Sequence, residues 1–261
     1  MAKLRNSASC LKFFILTLTL SMLWSCSSEQ NRLSKIKGKQ IPIDEKIASS
    51  PALEKVIEPY RTHINKDLDS VLAYCPETLD KNHGKWSTAI GNLLADVTLQ
   101  KADQLFQKRH QQQVAICLLN HGGIRATLPK GNVTTRTAFE IMPFENNLVI
   151  AALKGEQIEE MVDYFIKGKK AHPVSGIEIV LTPDEKSYES IAIQGKLLDK
   201  KQTYFVATSD YLITGGDNMT FFAKATSTYD MDYKLRNLII DYFKETDTIP
   251  VIKDNRVRIL K

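Results

Sequence analysis

An α+β domain, a mixed sheet layered with helices, is the fold class this sequence predicts, and three observations predict it. Helical and strand-like apolar periods follow one another over residues 46–261 without the regular strand–helix–strand repetition of a parallel-sheet protein. The continuous apolar run Val114-Ala115-Ile116-Cys117-Leu118-Leu119 suits a central strand covered on both faces. Two glycine loops, Gly122-Gly123 and Gly215-Gly216, follow strand-like segments and punctuate the pattern.

The elements follow in order. A first helix is expected from Leu53 to Ala73, because Val56, Ile57, Tyr60, Ile64, Leu68, Val71 and Leu72 recur at three- and four-residue intervals; Pro76 marks its end. A second runs from Thr88 to Arg109, with Ile90, Leu93, Leu94, Val97, Leu105 and Phe106 on one side. After the central strand, Thr134 or Thr135 caps a short helix through Phe139. A strand at Asn147–Leu153 turns at Gly155 into the helix Glu156–Lys167. Strands are expected at Gly176–Leu181, Ser190–Gln194 and Thr203–Ala207, then a helix Asp232–Phe243 and a last strand Arg256–Leu260.

The N-terminus reads differently. Lys3, Arg5 and Lys12 precede an apolar run from Phe13 to Trp24, then Ser25-Cys26 and a polar stretch. A basic region, a short apolar core and a small residue at the cut describe a secretory signal peptide over residues 1–25. Leu23-Trp24-Ser25-Cys26 resembles a lipobox, so Cys26 is the expected lipidation site, and diacylation there supplies a stable membrane anchor. Ser27 next to it favours the outer membrane of a bacterial envelope, on either leaflet. Residues 26–45 read as a polar tether and 46–261 as the globular domain.

Of the 35 basic residues, three fall in the signal region, leaving 32 against 30 acidic ones. Such a balance argues against a nucleic-acid partner, which calls for a basic surplus gathered into a patch. Cys75 and Cys117 are open to pairing in an oxidising compartment or to standing as separate thiols; no CxxC or zinc-like spacing accompanies them.

Five pieces carry the chemistry: Gly91-Asn92-Leu93-Leu94-Ala95-Asp96; Asn120-His121-Gly122-Gly123-Ile124-Arg125; Met142-Pro143-Phe144-Glu145-Asn146 with Leu153-Lys154-Gly155; Val174-Ser175-Gly176; and Tyr211-Leu212-Ile213-Thr214-Gly215-Gly216-Asp217. In this order and spacing they resemble the C-terminal, substrate-binding domain of the 5'-nucleotidase and UDP-sugar hydrolase family over roughly residues 46–261. The resemblance implies a nucleoside site. Phe144 and Tyr211 match the two rings that sandwich the base, and stacking on aromatic faces tolerates different bases. Asp217 matches the carboxylate that accepts from ribose hydroxyls, as an acceptor-only group suits two hydroxyl donors. Asn120 and Arg125 match polar residues facing the ligand, the first toward a base edge, the second as a rigid fork for phosphate oxygens. Gly122, Gly123 and Gly216 complete the set by letting a ligand near the backbone. One departure is Gly84-Lys85-Trp86, near which relatives often carry an arginine; Lys85 is open to replacing it as a point charge or to leaving a weaker phosphate contact, so the substrate type stays open.

Whole family members hydrolyse phosphate esters with two metal ions held by Asp-x-His, Gly-Asn-His and His-x-His signatures in a separate domain. None of those signatures occurs among the five histidines, His63, His83, His110, His121 and His172, and His172 beside Pro173 reads as a loop residue. No GxSxG elbow or Walker loop is present either. The expectation is therefore no metal or cofactor in this chain, no catalytic residue, and a divalent metal pair supplied by a separate metallophosphatase chain. A non-enzymatic nucleotide-binding lipoprotein is the alternative.

Overall fold

The computed structural model describes residues 2–23, 33–45, 47–252, 254 and 256–260. Trp24, Ser25 and Cys26 lie outside them, as does the expected lipidation site. The chain divides into two compact units, Met1–Leu53 and Glu54–Lys261. The first holds helix α1 (Ala2–Leu23) and an exposed segment without regular secondary structure that includes Lys35, Lys37 and Lys39. No helix of the described residues is long and apolar enough to cross a membrane.

Helix α2 (Pro51–Leu68), which belongs to the second unit from Glu54 on, ends five residues before the Ala73 expected from periodicity, and Val71–Cys75 forms strand β1 instead. The physical reason is pairing: β1 lies antiparallel to β3 (Gly131–Thr134), with Cys75 opposite Gly131 and Val71 opposite Thr134. The same α2 buries no side chain, so its apolar period did not mark a core face. Helix α3 (Ala89–His110) is capped as its sequence requires, Thr88 accepting from the Gly91 N–H at 3.2 Å.

The centre of the unit is a five-stranded sheet. It contains β2 (Ile116–Leu118), β4 (Asn147–Lys154), β5 (Val174–Ser175), β9 (Thr203–Ser209) and β10 (Ser227–Lys234), in the order β10-β4-β9-β2-β5. Only β2 and β9 are parallel; the other neighbours are antiparallel. Side chains alternate across it as the pleat dictates. Cys117, Ile150 and Ala207 face a core shared with α3, the short helix α4 (Thr135–Ile141) and α7 (Leu235–Glu245). Ile116, Leu118, Ala151 and Val206 face a second core built on α5 (Gly155–Gly168). Both cysteines of this unit are buried and free, Cys75 donating to the Glu77 carbonyl at 3.0 Å, so the pairing alternative is not realised. A smaller sheet, β11-β6-β7-β8, joins Ile177–Leu181 (β6), Tyr188–Ile193 (β7), Lys196–Leu197 (β8) and Val257–Ile259 (β11). The fold is the α+β class read from the sequence.

The helix expected from Asp232 begins later than its sequence suggests, because Asp232 still lies in strand β10. Its alternation of Tyr229, Met231 and Tyr233 with Thr228, Asp230 and Asp232 is a half-buried edge-strand pattern. Helix α7 starts only at Leu235.

Candidate functional site

The parallel pair β2/β9 sets up the site. Both strands end at the same edge, with Cys117 opposite Ala207, and the chain leaves each through a loop. Crevices beyond the carboxyl ends of parallel strands are where sheets of this kind receive ligands. From β2 the loop is Asn120–Arg125, with a 3-10 turn at His121–Gly123. From β9 it is the short helix α6 (Asp210–Ile213) and a 3-10 turn at Gly216–Asn218. Antiparallel β4 begins beside the end of β9, Leu148 opposite Ser209, so the preceding Phe144–Asn146 reaches the same place.

These three segments enclose a cavity of ≈ 300 Å³ lined by Asn120, Gly122, Gly123, Arg125, Phe144, Asn146, Tyr211 and Asp217. Seven of the eight residues singled out from the sequence line it. Gly216, the eighth, lies behind Tyr211: a Cβ there would sit 2.5 Å from ring atoms of the tyrosine. Only glycine lets the ring rest on the backbone. Gly123 does the same for Asn120, whose Oδ1 would be 2.7 Å from an added Cβ.

Phe144 and Tyr211 are 39% and 44% exposed as residues, unlike core aromatics such as Phe106. Between the loops, the Asn120 side-chain amide donates to Asp217 Oδ2 at 2.8 Å and the Tyr211 hydroxyl to Oδ1 at 3.1 Å. Asp217 occupies the left-handed region, φ 53°, held there by its own N–H donating to the Tyr211 hydroxyl at 3.2 Å and by Tyr164 donating to its carbonyl at 2.8 Å. Arg125 is exposed, its guanidinium carbon 5.8 Å from the Phe144 ring centre. Among the described residues it has no hydrogen bond or ion pair from the guanidinium, so its donors face the cavity's solvent.

Three supports escaped the sequence reading. Asp210 links the two aromatic segments, accepting from the Asn147 N–H at 3.1 Å and the Tyr211 N–H at 2.7 Å. Buried Arg236 braces the other side, donating to the Phe144 carbonyl at 3.3 Å and pairing with Glu145, whose carboxyl it holds below the usual carboxylate range. Asn146 lines the cavity directly. Its place beside Phe144 in the quoted motif was the available signal; Arg236, some 90 residues on, had none.

The Gly91–Asp96 motif does not reach the cavity. Asn92 is buried and donates to Asp254 Oδ1 at 3.1 Å, while Asp96 pairs with Arg256 at 2.7 Å. Lys85 likewise stands away from the cavity lining, bound to Glu185 together with the Trp86 indole.

Among the described residues no three or more His, Cys, Asp or Glu side chains form a group able to hold an ion. The histidines are dispersed: His63 beside Asp67, His83 on Asp80, His110 against Phe106 and Tyr229, and His121 in the first loop with His172 behind it.

Comparison with known proteins decides the family, because the family described as 5'-nucleotidase, C-terminal domain matches residues 71–224. The chain belongs to that family. It is 30% identical over 209 residues to the trifunctional nucleotide phosphoesterase protein YfkN of Bacillus subtilis, covering 74% of this chain and 14% of the relative. With the apyrase of Tabanus yao it shares 22% over 254 residues, 89% of this chain and 46% of that one. With UshA of Yersinia enterocolitica it shares 26% over 196 residues, 72% and 34% respectively. Among solved structures, a 5'-nucleotidase precursor from Thermus thermophilus superposes with a TM-score of 0.65 at 24% identity, over 80% of this chain and 43% of its own. The chain thus spans less than half the length of each of these proteins, and the likeness to the solved structure is one of fold.

Proposed function

We propose that this member of the 5'-nucleotidase C-terminal domain family is the nucleotide-recognition subunit of a 5'-nucleotidase-like phosphoester hydrolase. The convergence of Phe144, Tyr211, Asn120, Asp217 and Arg125 on one ≈ 300 Å³ cavity carries the reading. A base enters between the two exposed rings, ribose hydroxyls meet Asp217, and Arg125 offers its unused fork to phosphate. The metal pair and the attacking water come from a separate metallophosphatase chain, and binding energy from base and ribose positions the phosphate on it. The basic–apolar N-terminus ending at Cys26 supports placing this work at the bacterial envelope, on a lipid anchor.

The test uses the purified chain and AMP. Calorimetry reads binding to the chain alone, and phosphate release is assayed with Mn²⁺ in the presence and absence of a candidate metallophosphatase chain. Release that needs both chains and falls with Phe144→Ala supports the proposal. AMP binding without stimulation of any metallophosphatase makes the chain a non-enzymatic nucleotide-binding lipoprotein. Absence of AMP and adenosine binding overturns the recognition role itself.

A further inference from the structure

Behind the two ligand loops lies a buried imidazole that the nucleotide reading leaves unused. His172 is 4% exposed, although it sits in the connection between α5 and β5. Its ring stacks on Phe165, centroids 5.5 Å apart at 18°, and lies 5.4 Å from Tyr164. Its Nδ1 accepts the N–H of His121, in the middle of the Asn120–Gly123 loop, at 3.3 Å. The Nε2 atom is buried with no partner among the described residues. An accepting Nδ1 requires the neutral ring with its proton on Nε2. Tyr164, next to it, donates to the carbonyl of Asp217 on the second loop. One block of α5 and the following turn therefore touches both ligand loops from inside.

We propose that His172 is a positioning residue for the ligand site: its neutral imidazole holds the Asn120–Gly123 loop in the shape that presents Asn120 to Asp217, and protonation of the ring releases it. The inference rests on the nucleotide reading for its consequence, not for the loop contact itself. A protonated Nδ1 would confront the His121 N–H donor to donor, so the bond that holds the loop cannot survive the charged form. Burial reinforces this, lowering the group from 6.5 to about 4, while Asp217 opposes the shift from the second loop. His121 from the first loop and Lys170 from its own segment act with burial, and Tyr164 faces it from α5 as a neutral phenol. The sign follows: the closed loop excludes the proton and the released, solvated ring accepts it. The closed form is complete above about pH 6.5 and gives way as pH falls toward 4.

The experiment follows the full-length chain at pH 7.5 and 4.5, as wild type, His172→Asn and His172→Phe. Amide hydrogen-exchange protection factors are read for residues 120–123 and 217, with β4 amides as a control for global unfolding. Adenosine binding is measured alongside, adenosine being free of a phosphate that titrates in this range. Wild type should lose loop protection, and adenosine affinity, about tenfold or more at pH 4.5 while β4 stays protected. His172→Asn, which keeps an acceptor without a titrating ring, should be protected and bind at both pH values. His172→Phe should be weak at both. Unchanged wild-type loop protection between the two pH values overturns the proposal, as does His172→Asn following the wild-type pH loss. Should His172→Phe fail to fold, the contrast between wild type and His172→Asn still decides. If adenosine binds to none of them at pH 7.5, the nucleotide reading falls, and the exchange data alone judge the hold of His172 on the loop.

Discussion

Tyr211 and Asp217 clasp each other twice: the phenol donates to Oδ1 at 3.1 Å and accepts the Asp217 N–H at 3.2 Å. The ring proposed for stacking thus bonds one oxygen of the carboxylate proposed for ribose, and Asn120 bonds the other. Each oxygen already holds one protein donor, and a ribose hydroxyl entering here shares a partly used acceptor with it. Tyr211→Phe keeps the stacking face and frees Oδ1, at the loss of the acceptor for the Asp217 N–H, while Tyr164 still holds the Asp217 carbonyl. It should tighten adenosine by up to about tenfold, about 1.4 kcal/mol, the scale of one hydrogen bond net of exchange. Adenine, which lacks the sugar, should be unaffected. Calorimetry with both ligands checks this, and equal changes for the two would refute the competition.

Phe144 presents its ring from a loop braced at its carbonyl by Arg236 and at Asn147 by Asp210. Phe144→Ala removes a face without removing those braces. Adenosine should weaken by about 1–3 kcal/mol, the range for one base–aromatic stack, with the melting temperature nearly unchanged because the ring is 39% exposed. A melting temperature lowered by many degrees would mark Phe144 as a packing residue instead.

Much of this was legible because the local signals and the fold agree. The apolar run around Cys117 is covered on both faces, as its composition required, and Thr88 and Thr134 cap the helices they precede. Seven of the cavity-lining residues were readable as a set because their motifs, in order and spacing, resemble those of the family's domain, and the fold brings those motifs to adjacent strand ends. What was not legible depends on pairing at a distance. Val71 and Leu72 continue the period of α2 but belong to β1, which pairs with β3, sixty residues on, and strand β10 carries an edge-strand alternation that a helix start at Asp232 obscured. His172 reads as a loop residue from its neighbour Pro173, and only the packing of α5 buries it.

Gly216 tests whether the position of the Tyr211 ring matters. A Cβ at this residue would meet Tyr211 Cε1 and Cζ at 2.5 Å and the Tyr211 carbonyl oxygen at 2.6 Å. The ring can swing away into solvent, but the carbonyl cannot without moving the loop. Gly216→Ala should therefore cost about 1–3 kcal/mol in adenosine binding through displacement of the ring and of Asp217, comparable to losing a stack outright. Binding within twofold of wild type would show that the loop tolerates the shift.

The Asp96–Arg256 pair tests whether the Gly91–Asp96 motif serves the fold and not the ligand. Arg256, 8% exposed at its side chain, donates to Asp96 at 2.7 and 3.1 Å, to Asp254 at 2.8 and 2.6 Å and to the Val174 carbonyl at 2.6 Å. Ser175 adds a hydrogen bond to Asp96 at 2.5 Å. These contacts fasten β11, which Arg256 precedes, to α3 and β5. Removing one partner of a buried pair costs about 3–5 kcal/mol, because the remaining charge stays desolvated. Asp96 keeps 30% exposure and Arg256 retains Asp254, so the expected loss for Asp96→Ala is smaller, about 2 kcal/mol. Replacing Arg256 as well, by Met, should add less than the two single losses combined, since the second change removes the stranded charge. Denaturant titration of the two singles and the double measures this coupling. Asp96 lies outside the ligand cavity, so adenosine affinity of the folded variants should stay within about twofold; a larger loss would place the motif in ligand recognition after all.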